Sequence, residues 1–336
     1  MMKLFQWRYG LLLLPVALWL SINSAQADIT CTANMNNGTV NISNTITPTN
    51  ANDAQITATL TYSCTNNVAS ERYASLCLGV DGGDFDSATL NPRYMTGPNG
   101  SKLAFTMTRP DGSLWGNSSD SIYQPATFLI GPNATVNGSA VITVSLLPGF
   151  GNTLATQGFH SSDFSGNHTT LTYQSDIVAP TSSDCNSGIQ EPSQFPFKVQ
   201  ATVVNECKIN TTSNIVLGSR PASTTSFTGS NNQAIDMTCT NGALYNIGLA
   251  PSNGDTNGAG VMTDTESNNY QLPYQLLSNS TGTAWGNNGN TYATLTNGVT
   301  GNGNGTAQYH TVYVTVPNSD VKPANYADTV TIHVNY

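Results

Sequence analysis

Ile56-Thr-Ala-Thr-Leu-Thr-Tyr-Ser-Cys64 alternates apolar and hydroxyl side chains and ends on a cysteine. A period of two puts one set of side chains in a core and the other in water, the pattern of a half-buried β-strand. Ala234-Ile-Asp-Met-Thr-Cys239 ends in the same way. Working outward, Cys31 precedes Cys64 by 33 residues and Cys207 precedes Cys239 by 32. Leu103-Ala-Phe-Thr-Met stands before Trp115-Gly-Asn117, and Leu272-Pro-Tyr-Gln-Leu before Trp285-Gly-Asn287. Val141-Ile-Thr-Val-Ser-Leu-Leu-Pro148 matches Thr311-Val-Tyr-Val-Thr-Val-Pro317. Each copy closes on a strand ending in Tyr, at Tyr173 and Tyr336. One shared spacing is cheap, but this many in one order mark an internal repeat. We read two homologous β domains, 28–193 and 194–336.

Composition agrees with an all-β chain. The 336 residues include 45 Thr and 39 Asn, while only 9% are Asp, Glu, Lys or Arg, with a formal net charge of −9. Asn-Gly steps such as Asn36-Asn37-Gly38 supply turns between strands. No amphipathic helix longer than two turns is evident. An acidic chain without a Lys/Arg cluster lacks the basic footprint that nucleic-acid binding needs.

Residues 1–27 read as a secretory signal peptide. Lys3 and Arg8 precede an apolar run from Leu11 to Leu20, and Ala25-Gln-Ala27 forms a small-residue cleavage site before Asp28. Ten apolar residues are too few to cross a bilayer, which takes about 20. In an oxidising compartment the six cysteines are expected to pair. The repeat selects Cys31–Cys64 and Cys207–Cys239, leaving Cys77–Cys185 by exclusion. No metal-ligand spacing, Gly-x-Ser-x-Gly elbow, phosphate loop or acid/base pair stands out. The expectation is a protein that is not an enzyme and has no cofactor or metal.

Ile215 to Gly218, Asp236-Met-Thr-Cys239, Tyr274-Gln-Leu-Leu277, Trp285-Gly286 and Asn325-Tyr-Ala-Asp-Thr329 before Tyr336 resemble the spore coat protein U domain, the pilin module of archaic chaperone–usher pili. Two such domains in one exported chain resemble the tip subunits of Csu-type pili. The resemblance implies two immunoglobulin-like sandwiches of pilin type, the second lacking its last strand. An absent strand leaves an apolar groove and unpaired backbone groups, which a strand from a neighbouring subunit covers by β-augmentation. Phe195-Pro-Phe-Lys-Val-Gln-Ala-Thr-Val-Val204 looks like such a strand, with Phe195, Phe197, Val199, Ala201 and Val203 on one face. We expect it to complete the first domain within the chain. The second groove, bordered by Val330, Ile332, Val334 and Tyr336, is expected to stay open for the adjacent pilin. A mature N-terminus three residues before Cys31 leaves no arm to donate, which suits a tip position.

The resemblance also implies a periplasmic chaperone, an outer-membrane usher and the adjacent pilin as partners, and location at the pilus tip. If the last strand of the first domain runs toward the second domain, the turn after Cys64, the segment before Val141 and the excursion Gln174–Gln194 share the far end. Their small apolar residues are Val68, Ala69, Ile130, Pro132, Ala134, Val136, Ile177, Val178 and Ala179. Clustered exposed apolar side chains mark contact sites. The expected function is attachment to an abiotic or host surface, with biofilm formation. The alternatives are a carbohydrate-binding lectin, with Trp115, Tyr123 and Asn lining the site, and a structural coat or pilus subunit without a ligand.

Overall fold

The computed structural model describes residues 28–179, 189–191, 195–289 and 295–336, with 189–191 described by backbone pairing alone. The expected signal peptide lies outside the described residues. So does Cys185. Among the described residues no helix is long and apolar enough to cross a membrane.

The described residues of the first half form β1 (Ile29–Met35), β2 (Thr39–Ile46), β3 (Gln55–Asn66), β4 (Arg72–Val80), β5 (Arg93–Thr96), β6 (Lys102–Thr108), β7 (Phe128–Ile130), β8 (Thr135–Leu146), β9 (Gly158–Asp163), β10 (Thr169–Asp176), β11 (Ile189–Glu191) and β12 (Lys198–Val203). One sheet runs β1-β3-β8-β6-β5-β9-β12-β2, and the facing sheet runs β11-β10-β4-β7. Inward residues of both build one core, including Leu60, Leu76, Leu78, Phe105, Ile142 and Val144. Between β1 and β2 the chain moves from one edge of the large sheet to the other. The step is made at Asn36-Asn37-Gly38, where φ is 46°, 55° and 86°. Asn and Gly tolerate this left-handed backbone better than other residues.

The second half carries β13 (Cys207–Thr212), β14 (Phe227–Cys239), β15 (Leu244–Ala250), β16 (Ala259–Asp264), β17 (Gln271–Leu277), β18 (Val299–Asn302), β19 (Ala307–Val316), β20 (Tyr326–Ala327) and β21 (Thr331–Asn335). Its sheets run β13-β14-β19-β17-β16-β20 and β18-β15-β21. The first of these repeats the order β1-β3-β8-β6-β5-β9. Cys31–Cys64 bridges β1 to β3, and Cys207–Cys239 bridges β13 to β14 at the matching place. Trp115 and Trp285 are both buried. Each donates its indole N–H to a strand carbonyl, Leu78 at 2.9 Å and Ile247 at 2.7 Å. A buried indole N–H needs such a partner.

The two halves meet through loops. Val204 donates its N–H to Ile46 O at 2.9 Å, Thr49 Oγ1 donates to Glu206 at 2.8 Å, and Asn241 Nδ2 donates to Leu154 O at 2.7 Å. Residues 149–159 therefore lie at the end of the first half that faces the second, with Phe150, Leu154 and Phe159 exposed.

Candidate functional site

The segment 195–203 sits inside the first half. β12 pairs antiparallel with β9 (Val199 opposite Ser162, Ala201 opposite His160) and parallel with β2 (Val199 opposite Val40). Phe195, Phe197, Val199, Ala201 and Val203 are all buried in the first core. Phe197 lies flat on Phe164, 4.7 Å between centroids, and both Phe195 and Phe197 stack near Trp115 at 6.2 and 6.3 Å. Buried aromatics contribute large areas, and stacking adds to that. Outward on the same strand, Lys198 pairs with Asp163 at 3.0 Å.

The second half has no counterpart to this arrangement among its described residues. β20 pairs only with β16, and β21 only with β15. Residues 213–226, which follow β13 as β2 follows β1, form no strand. Ile215, Leu217, Phe227, Tyr326, Val330, Ile332 and Val334 pack against the second core but remain half-buried. Tyr336, at the end of this strip, is 54% exposed, whereas Tyr173 at the matching place is buried. Leu171 and Val40 in the first half are fully buried. The second sandwich thus carries an apolar strip along an unpaired sheet edge.

At the end of the first half away from the second, three loops meet. β10 ends and β4 begins there (Asp176 opposite Tyr73), beside β7 (Leu129 opposite Tyr73). Asn66 is buried and ties the loops together. Its amide donates to the carbonyls of Ser70 (2.8 Å), Ile130 (3.2 Å) and Gly131 (3.0 Å), and its oxygen accepts from Val68 N–H at 3.0 Å. Asn133 N–H donates to Val68 O at 3.2 Å. Arg72 Nε holds Asp28 at 2.9 Å at the same end.

The apolar candidates divide here. Ile177 and Val178 are 76% and 70% exposed, and Ala179, Ala69 and Pro132 are exposed. Val68 is half-buried. Ile130 is a correction: it is fully buried, because the last residue of β7 points into the core. Ala134 and Val136 pack half-buried against that core, and Val136 belongs to β8, which starts earlier than its sequence pattern suggested. Leu129, which the sequence reading passed over, is exposed because β7 turns it outward. Trp115 is also corrected as a surface ligand, since it is buried beneath Phe195 and Phe197. Tyr123 is half-buried. Cys77 is disulfide-bonded and sits in the middle of β4 opposite Thr172.

Other polar groups have structural partners. Arg93 is buried and donates to the carbonyls of Asp81, Leu90 and Trp115 at 2.8, 3.0 and 2.6 Å. Burial pulls its guanidinium down to about 10. His168 Nδ1 lies 2.9 Å from Asp81. Among the described residues no three His, Cys, Asp or Glu side chains gather as metal ligands.

No curated protein matches the sequence. Among solved structures, the chain is similar to the CsuC–CsuE chaperone–tip adhesion subunit pre-assembly complex from the archaic chaperone–usher Csu pili of Acinetobacter baumannii. Identity is 16%, coverage is 91% of this chain and 100% of that one, and the TM-score is 0.48. It is also similar to CfaE, the adhesive subunit of CFA/I fimbria of enterotoxigenic Escherichia coli (11% identity, 88% and 92% coverage, TM-score 0.34). A third is the CupB6 tip adhesin from Pseudomonas aeruginosa (11% identity, 91% and 95% coverage, TM-score 0.32). Over residues 193–333 the chain matches the Spore Coat Protein U domain family.

Proposed function

We propose that the protein is the adhesive tip subunit of an archaic chaperone–usher pilus. The observation that carries this reading is the contrast between its two sandwiches. One is closed by a strand of the same chain, and the other has a half-buried apolar strip along an unpaired edge. Such an edge is costly in water and is a template for strand addition. In this reading 195–203 is an intrachain donor strand, and the strip along Val330, Ile332 and Val334 takes a strand from the adjacent pilin. A periplasmic chaperone covers that strip before the outer-membrane usher assembles the pilus.

The adhesive element is the loop end of the first domain. Ile177, Val178, Ala179, Ala69, Pro132 and Leu129 form an exposed apolar group there, held on a frame built around Asn66. A carbohydrate site around Trp115 has no support, because that ring is buried. Apolar contact with solid surfaces, leading to biofilm, suits exposed aliphatic side chains better than a ligand pocket does.

Adsorption of the full chain to polystyrene and to hydrophilic glass, in low and high salt, tests this. Strong binding to polystyrene that persists in high salt is expected, with loss of most of it in Ile177→Asp/Val178→Asp. Equal, weak binding to both materials would contradict the apolar mechanism.

A further inference from the structure

The open edge is not a copy of the closed one, and the difference indicates what it accepts. The two halves can be matched residue by residue through their hydrogen bonds. Trp115 N–H donates to Met107 O and Trp285 N–H to Leu276 O, both at 2.9 Å. Phe105 and Tyr274 each lie two residues before those carbonyls. Thr96 pairs with Ser161, and Thr263 pairs with Ala327. Asp328 therefore stands where Ser162 stands, and Val330 stands where Phe164 stands.

In the first half, Val199 of the inserted strand is directly opposite Ser162, which is fully buried and donates to Asp84 at 3.2 Å. In the second half that position holds a carboxylate. Asp328 accepts from the Tyr274 hydroxyl at 2.5 Å and from Thr329 N–H at 2.8 Å. It is half-buried while the edge is open. Two donors leave part of a carboxylate's accepting capacity to water. A strand laid along β20 and the residues after it, as β12 lies along β9, would displace that water. An apolar residue opposite Asp328 would then bury an under-satisfied anion, which is unfavourable, whereas a hydroxyl, amide or ammonium group would complete its shell.

Resting on the strand-acceptor reading above, we propose that the second domain selects an inserted strand carrying a hydrogen-bond-donating side chain opposite Asp328. It thereby discriminates against strands of the chain's own 195–204 type, which present Val199 there. Two further differences point the same way. Phe197 stacks on Phe164, but Val330 offers no ring. Lys198 pairs with Asp163, whose place is taken by the exposed Thr329.

The test uses the full chain and two synthetic peptides. One is Phe-Pro-Phe-Lys-Val-Gln-Ala-Thr-Val-Val, copying 195–204, and the other differs only by Val199→Thr. Valine and threonine are nearly equal in shape, so the comparison isolates one hydroxyl. By titration calorimetry the threonine peptide should bind about tenfold tighter, the scale of one buried group left unsatisfied. That preference should shrink to within about twofold, or reverse, in Asp328→Val. It should grow in Tyr274→Phe, which removes a donor from the carboxylate and provides a second variant if Asp328→Val fails to fold. Equal binding, or preference for valine, on the unmodified chain would overturn the selectivity and leave the acceptor reading standing. If neither peptide binds, the pair is repeated with Phe197→Val and Lys198→Thr in each, which removes the ring and charge that lack partners there, and absence of binding by that pair would overturn both.

Discussion

Asn66 holds the loop end through one side chain. Its four hydrogen bonds join the turn after Cys64 to the segment after β7. Asn66→Ala removes both ends of the amide and leaves buried carbonyls without donors. At ~1–3 kcal/mol per unsatisfied group, we expect a loss of about 2–3 kcal/mol in the first domain. Calorimetry would show its transition falling while the second domain's stays in place. His160 makes a second prediction. It is buried beside β12, bonded to Ser101 (2.9 Å) and Gly158 O (3.1 Å). Burial lowers its pKa from the ordinary 6.5. The unfolded chain therefore takes up a proton near pH 6.5, while the folded chain resists until lower pH. His160 contributes full stability above 6.5 and loses it as pH falls through that window. His310 is shifted in the same direction by the same cause. A His160→Gln variant should show a flatter fall in stability between pH 7 and 5 than the unmodified chain. An identical slope would mean that the imidazole is not desolvated.

At the scale of elements, alternation made most strands visible in advance. Ile56–Cys64 and its partner at Ala234–Cys239 fall within β3 and β14, and both cross-strand disulfides follow from the repeat. Periodicity does not say how far a strand extends into its loop, so Val136 and Ile130 read as loop tips although one is strand and the other is core. Three-residue β7 has too little pattern to show which way it faces, and Leu129 was missed for that reason. Asn66 was invisible because its role depends on carbonyls more than 60 residues away. The β12 segment was legible as an apolar face of five residues. Its aromatic pair carries a third prediction. Phe197→Ala removes a ring stacked between Phe164 and Trp115 and leaves a cavity, costing ~3–5 kcal/mol. The first domain's unfolding midpoint in denaturant should fall accordingly, with the slope unchanged.

For the molecule as a whole, two copies of one sheet order end in different states. The first is closed by β12 between β9 and β2, and the second is open beside β20 and β21. That asymmetry underlies the account of one domain for contact and one for assembly. Their stabilities should differ for the same reason. An unpaired edge and half-buried apolar side chains lower the second domain's stability. Native-state hydrogen exchange on the full chain tests this most directly. The account predicts that the amides of Lys198–Val203 are protected to the same degree as those of β8, opening only with the whole first domain. It also predicts that outward amides of 326–330 exchange orders of magnitude faster and become protected when a binding strand is added. Equal protection at both places in the chain alone, or rapid exchange along Lys198–Val203, would contradict it.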